Sequence, residues 1–130
     1  MREILFRGKR VDIGEWIEGW FLPGNERRTL HHCIFVYLTE TQSFECFDID
    51  IDTLGEYTGL KDKNDKKIFE HDIVRIAVCG TYDNYVVSYD KENARFVVGD
   101  IDFTMVRIFS PKIEVIGNIH DNPELLEGDD

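Results

Sequence analysis

Features that mark a membrane protein, a disulfide scaffold or an enzyme are scarce in this chain. No apolar segment approaches the roughly 20 residues needed to span a bilayer, and charged residues occupy the amino-terminal stretch where a secretion signal would need an apolar core. A cytoplasmic protein is therefore expected. Cys33, Cys46 and Cys79 are three, far apart and without a C-x-x-C pair, which argues against a disulfide framework and for small buried hydrophobes in a reducing compartment. His31, His32 and Cys33, with Cys46, contain metal-binding residue types, but adjacent strand residues point to opposite faces and the spacing fits no usual zinc finger or knuckle. No G-x-S-x-G elbow, G-x-G-x-x-G segment or G-x-x-x-x-G-K-[ST] loop occurs. No catalytic, cofactor-binding or metal-binding residue is assigned. Basic residues are outnumbered, 15 against 26 acidic, for a net charge of −11; this argues against nonspecific binding to a phosphate backbone.

What the chain does contain is a repeated rhythm of short apolar segments. Its 130 residues, 42% hydrophobic and 32% charged, fit a single domain able to bury one core without metal or disulfide. Strands are expected around Ile4 and Phe6, around Trp16, Ile17, Trp20 and Phe21, and over residues 33–38, whose Ile, Phe, Val and Tyr content favours a strand over a helix. Gly8 is read as the start of a polar turn running to Gly14. Residues 44–51 alternate, with Phe47, Ile49 and Ile51 on one face and Asp48, Asp50 and Asp52 on the other. Further strands are expected near 72–79, 85–89, 95–98, 103–109 and 113–119, with GTYDN and DKEN as separators. Apolar periodicity of the helical kind is nearly missing, so an all-β fold is expected, a small barrel-like or SH3-like architecture. One short helical turn closes the chain, with Asn122 as cap, Pro123 in its first position and Gly128 as its stop. The favoured organisation is one domain over residues 1–130. A subdivision into a β part at 1–52, a connecting hairpin at 53–71 and a barrel part at 72–121 is the alternative.

Residues 57–76, YTGLKDKNDKKIFEHDIVRI, carry the most information. KDKNDKK is wholly polar and centres on Asn64 and Asp65, residues that tolerate positive φ, so the chain is expected to reverse there. Apolar side chains from Ile68 onward then re-enter the core. Together with MREILFRGKR, GEWIEGWF and the late VIGNIHDNPELL, this run resembles the YopX family of phage and prophage proteins over nearly the whole chain. The chain departs from the family pattern at Asp65 and His71, where glycine is common. The resemblance implies an all-β fold and a phage or prophage origin, and it brings no catalytic residues to carry over.

Several residue groups carry side chains of types that support chemistry. Asp48, Asp50 and Asp52 carry the oxygens a hard cation prefers, but carboxylates spaced along one strand face do not converge on one ion. Asp62 and Asn64 resemble the opening of a calcium loop, yet Lys66 and Lys67 stand where an oxygen ligand and a glycine are needed. Glu70, His71 and Asp72 diverge if the chain is extended there. Basic residues gather as Arg2, Arg7, Lys9 and Arg10, as Arg27 and Arg28, and as Lys61, Lys63, Lys66 and Lys67; solvated loops are their ordinary explanation. Trp16, Trp20 and Phe21, with Gly19 exposing backbone between them, form the candidate interaction surface, with burial in the core as the alternative. The expected function is a non-catalytic protein-interaction module with an unidentified protein partner or a second copy of itself. A nucleic-acid-associated barrel and an acidic decoy of DNA-binding host proteins are the alternatives.

Overall fold

A computed structural model describes residues 4–24, 31–78, 80–99, 101–102 and 113–126. The chain divides into two compact units, Met1–Tyr57 and Thr58–Asp130. The architecture is all-β, as the strand-length apolar segments require, with a short 3-10 turn near the end of the described residues.

The N-terminal unit holds β1 (Phe6–Arg10), β2 (Trp16–Leu22), β3 (Cys33–Leu38) and most of β4 (Ser43–Lys61). These pair antiparallel in the order β1–β2–β3–β4, and β1 pairs again with β4, closing the strands into a small barrel. Ile34 and Ile49 are buried within it. So small an interior leaves no room for a side chain at two positions. A Cβ on Gly8 would lie 2.8 Å from Ile49 Cδ1, and one on Gly19 would collide with the Phe35 carbonyl oxygen and lie 2.8 Å from Ile34 Cγ2. Gly8 therefore sits inside β1, and the turn expected to begin there starts after Arg10 instead.

β4 is far longer than the alternating segment that announced it, and it is not regular. Arg7 pairs with Gly55 while Lys9 pairs with Asp50, so β4 carries a bulge opposite β1. The Thr53 hydroxyl fills the gap in the ladder: it accepts the Lys9 N–H at 2.8 Å and donates to the Asp50 carbonyl at 2.6 Å. Ile51 lies in the bulge and is exposed, against the expectation that it would be buried with Ile49.

The C-terminal unit continues with β5 (Lys67–Phe69), β6 (Asp72–Val78), β7 (Thr81–Asp90), β8 (Arg95–Val98), β9 (Ile101–Asp102) and β10 (Ile113–Asn118). The sheet order is β10–β6–β7–β8–β9. Ile68, Val74, Val87 and Val98, none more than 1% exposed, centre its core. Val78 pairs with Thr81, so β6 and β7 are joined by two residues, and Gly80 at φ 82° supplies the conformation such a link needs. GTYDN is consequently mostly strand: Tyr82 pairs with Ala77 and Asn84 with Arg75. The strand expected at 103–109, like Cys79, Arg2, Arg27, Arg28 and Gly128, lies outside the described residues.

The reversal around Asn64 and Asp65 forms as its residues dictate, with Asp65 at φ 66° and the Asp62 N–H donating to the Lys66 carbonyl at 2.8 Å. His71 also has positive φ, at 76°. The two positions where the chain departs from the glycine common in the family it resembles are thus both left-handed, the conformation that glycine adopts without steric cost. Residues Pro123–Leu126 form the terminal 3-10 turn. Asn122 accepts the Leu125 N–H through its backbone carbonyl at 3.1 Å, whereas its side-chain oxygen turns back to the Asn118 N–H at 3.3 Å, in place of the capping role expected of it. Among the described residues, no helix is long and apolar enough to cross a membrane.

Candidate interaction surface

Period-two alternation along β2 puts Trp16, Glu18, Trp20 and Leu22 on one side and Ile17, Gly19 and Phe21 on the other. The two tryptophans therefore share a face that Phe21 does not. Phe21 is half-buried, with its ring 5.9 Å from Phe6 and 5.9 Å from His32. Gly19 faces the crowded side, so it exposes no backbone between the tryptophans.

Trp16 and Trp20 occupy different environments. Trp16 is half-buried, with the Arg7 guanidinium carbon 4.7 Å and Lys9 Nζ 5.5 Å from its ring centroid. Trp20 is 57% exposed. The register of β2, β3 and β4 aligns Trp20 with Phe35, Phe35 with Cys46, and Tyr37 with Phe44. Trp20 stacks on Phe35 at 6.1 Å and 20°, Phe35 lies parallel to Phe44 at 5.0 Å, and Tyr37 tilts against Phe44 at 4.9 Å. Phe44 is 55% exposed and Tyr37 48%. Four rings on three strands thus form one solvent-facing ladder. Such offset and tilted pairs stabilise the face by about 0.5–1.5 kcal/mol each, while leaving its outer surface bare. Sequence reasoning found Trp20 but missed Phe35, Tyr37 and Phe44, since only strand register joins them.

The remaining candidates are occupied with structure. The Cys33 thiol is pushed up to about 11 by burial, with Cys46 beside it adding to the shift, so it stays protonated at neutral pH. His32 accepts the Gly24 N–H through Nδ1 at 3.0 Å. Asp48, Asp50 and Asp52 are exposed, and Asp50 Oδ1 accepts the Asp52 N–H at 3.1 Å. Glu70 Oε2 lies 3.9 Å from His71 Nε2, but Asp72 is buried and accepts the Phe69 N–H at 2.7 Å. Among the described residues, no three His, Cys, Asp or Glu side chains cluster in a way that could hold a metal ion. Two of the hairpin lysines face acids, Lys61 with Asp65 at 3.7 Å and Lys63 with Glu114 at 3.8 Å.

The sequence's most distinctive motifs serve the same end. The Thr58 hydroxyl donates to the Ile68 carbonyl at 2.8 Å. Asp62 accepts the N–H groups of Asn64, Lys66 and Val115 at 2.8, 2.9 and 2.9 Å, tying the hairpin to β10. The Asn118 side-chain oxygen accepts the N–H groups of His120 and Asp121, both at 3.0 Å, and a Cβ on Gly117 would lie 2.5 Å from Asn122 Oδ1.

No curated protein matches the chain. Among solved structures it is similar to the crystal structure of protein EF1440 from Enterococcus faecalis, with 25% identity and a TM-score of 0.63 over 97% of this chain and 99% of that one. The family model described as YopX protein matches residues 5–127. With nearly its whole length matched, the chain belongs to the YopX family.

Proposed function

We propose that the protein is a non-catalytic interaction module, encoded by phage or prophage and acting in the bacterial cytoplasm, whose working surface is the aromatic ladder of the N-terminal barrel. The observation that carries this reading is the exposure of Trp20, Phe44 and Tyr37 on one continuous face. Large aromatic side chains are usually buried, and a contiguous exposed group of them marks a place where another molecule docks. Covering apolar ring surface stabilises a complex by about 25 cal/mol per Å² removed from water. Aromatics also dominate the residues on which interfaces depend.

The alternatives have less support. A stacking platform for single-stranded nucleic acid needs a cationic track alongside its rings, whereas Asp48 and Asp50 lie exposed on the outer side of β4 and the net charge is −11. An acidic decoy needs an ordered row of carboxylates, and Lys9 pairs directly opposite Asp50.

The test is comparative capture from prophage-bearing bacterial cells, with the wild-type protein and a Trp20→Ala/Phe44→Ala variant as baits. Proteins retained by the wild type and lost by the variant are expected. Identical sets from both baits would overturn the proposal.

A further inference from the structure

Resting on the reading of the ladder as a docking face, we infer that its occupant is a cationic, arginine-bearing segment of a partner protein, with guanidinium groups on the open rings of Trp20 and Phe44 and with Asp48 and Asp50 answering their charge.

The first support is a precedent within the same barrel. Trp16, four residues before Trp20 and on the same face, carries Arg7 at 4.7 Å and Lys9 at 5.5 Å; elsewhere in the unit Arg10 covers the Phe47 ring at 4.2 Å. Cations thus already cap rings of this unit from within the chain, while the rings of Trp20 and Phe44 remain open to solvent. A cation over an aromatic face is attracted by the ring quadrupole. Arginine suits the site better than lysine, because its planar, weakly hydrated guanidinium stacks on a ring while still donating to a carboxylate.

Charge supplies the second support. The row Leu22, Cys33, Asp48 runs next to the row Trp20, Phe35, Cys46, so an exposed carboxylate borders the ladder, and Asp50 follows two residues on along β4. A partner approaching the Asp48 edge of the ladder meets negative charge, on a chain of net charge −11, whereas Arg7 and Lys9, the latter opposite Asp50, lie on the Trp16 side of the face. A second copy of this chain would bring like charge to like, and a nucleic acid would bring phosphates to carboxylates; both are disfavoured by the same field.

The experiment titrates the full-length protein with a ten-residue peptide of alternating Arg and Gly, following tryptophan fluorescence and heat of binding at low and moderate salt. A Lys-for-Arg peptide, a Glu-for-Arg peptide and a single-stranded oligothymidylate are run in parallel. Binding is expected for the Arg peptide, weaker by several-fold for the Lys peptide and weaker at higher salt. Trp20→Ala/Phe44→Ala should lower the affinity about tenfold. Asp48→Asn/Asp50→Asn should lower it several-fold and flatten the salt dependence; melting curves check that both variants fold. Three results would overturn the inference: no binding of the Arg peptide, binding indifferent to both variants, or preference for the oligothymidylate. Self-association in light scattering that the ladder variant abolishes would also overturn it, in favour of a second copy. If the peptide fails while the ladder variant still loses partners in cell capture, the docking face stands and only the cationic partner falls. If the two capture baits behave alike, the docking face itself falls.

Discussion

Burial alone would raise the Asp62 carboxyl, yet the N–H groups of Val115, Lys66 and Asn64, with the charge of Lys66, hold it below its ordinary value. A carboxylate with three backbone donors is a charge-assisted junction, and Asp62 joins the hairpin to β10. Because its folded pKa is depressed, the stability it contributes is fully present above the unfolded value of about 4 and is lost as pH falls through the lower folded value. Asp62→Asn should therefore cost about 2–4 kcal/mol at neutral pH and lose less stability than the wild type on acidification. Urea unfolding of both proteins from pH 7 down to about pH 3 checks this, and parallel acid limbs would refute it. The sequence showed Asp62 only as the first position of a calcium loop that fails. Its three donors come from positions two, four and fifty-three residues away, and the last of these is invisible without the fold.

Thr53 shows why elements were legible only in part. β3 and β8 match the segments read from sequence, residues 33–38 and 95–98, because short apolar runs with β-branched and aromatic content leave little choice of conformation. β1, β4 and β7 run longer than their local residues indicate: Gly8 and the stretch from Thr81 to Asn84 look like turn formers but are held in strands by partners across the sheet. The bulge in β4 has no local signal either, since Ile51 continues the alternation of Phe47 and Ile49 and only the pairing of β1 with both Asp50 and Gly55 displaces it. A buried hydroxyl that both accepts from Lys9 and donates to Asp50 holds that irregularity. Thr53→Val keeps the shape and strands both backbone partners, so a loss of about 1–3 kcal/mol is expected by urea or thermal unfolding. An unchanged midpoint would mean that the bulge does not depend on the hydroxyl.

At the scale of the molecule, most of the residues that make the family recognisable and most of those offered for contact are different, with Trp20, in GEWIEGWF, belonging to both sets. Thr58, Asp62, Gly117 and Asn118 spend their polar groups and close approaches on the C-terminal unit, where Asp65 and His71, departures from the family pattern, hold two of the positive-φ positions. The ladder of Trp20, Phe35, Tyr37 and Phe44 lies on the N-terminal barrel and leaves rings uncovered. The sequence therefore disclosed the architecture through its motif. It disclosed the candidate site through one exposed tryptophan only, because the other three rings reach it through pairing across strands. The separation of roles is tested most directly by measuring Arg-peptide affinity for Asp62→Asn and for Trp20→Ala/Phe44→Ala, at a temperature where both remain folded, beside their unfolding free energies. The prediction is that Asp62→Asn loses stability and keeps wild-type affinity, while the ladder variant gives up the contribution of its ring pairs, about 0.5–1.5 kcal/mol each, yet stays folded and loses affinity about tenfold. Loss of affinity in folded Asp62→Asn together with undiminished binding by the ladder variant would contradict it.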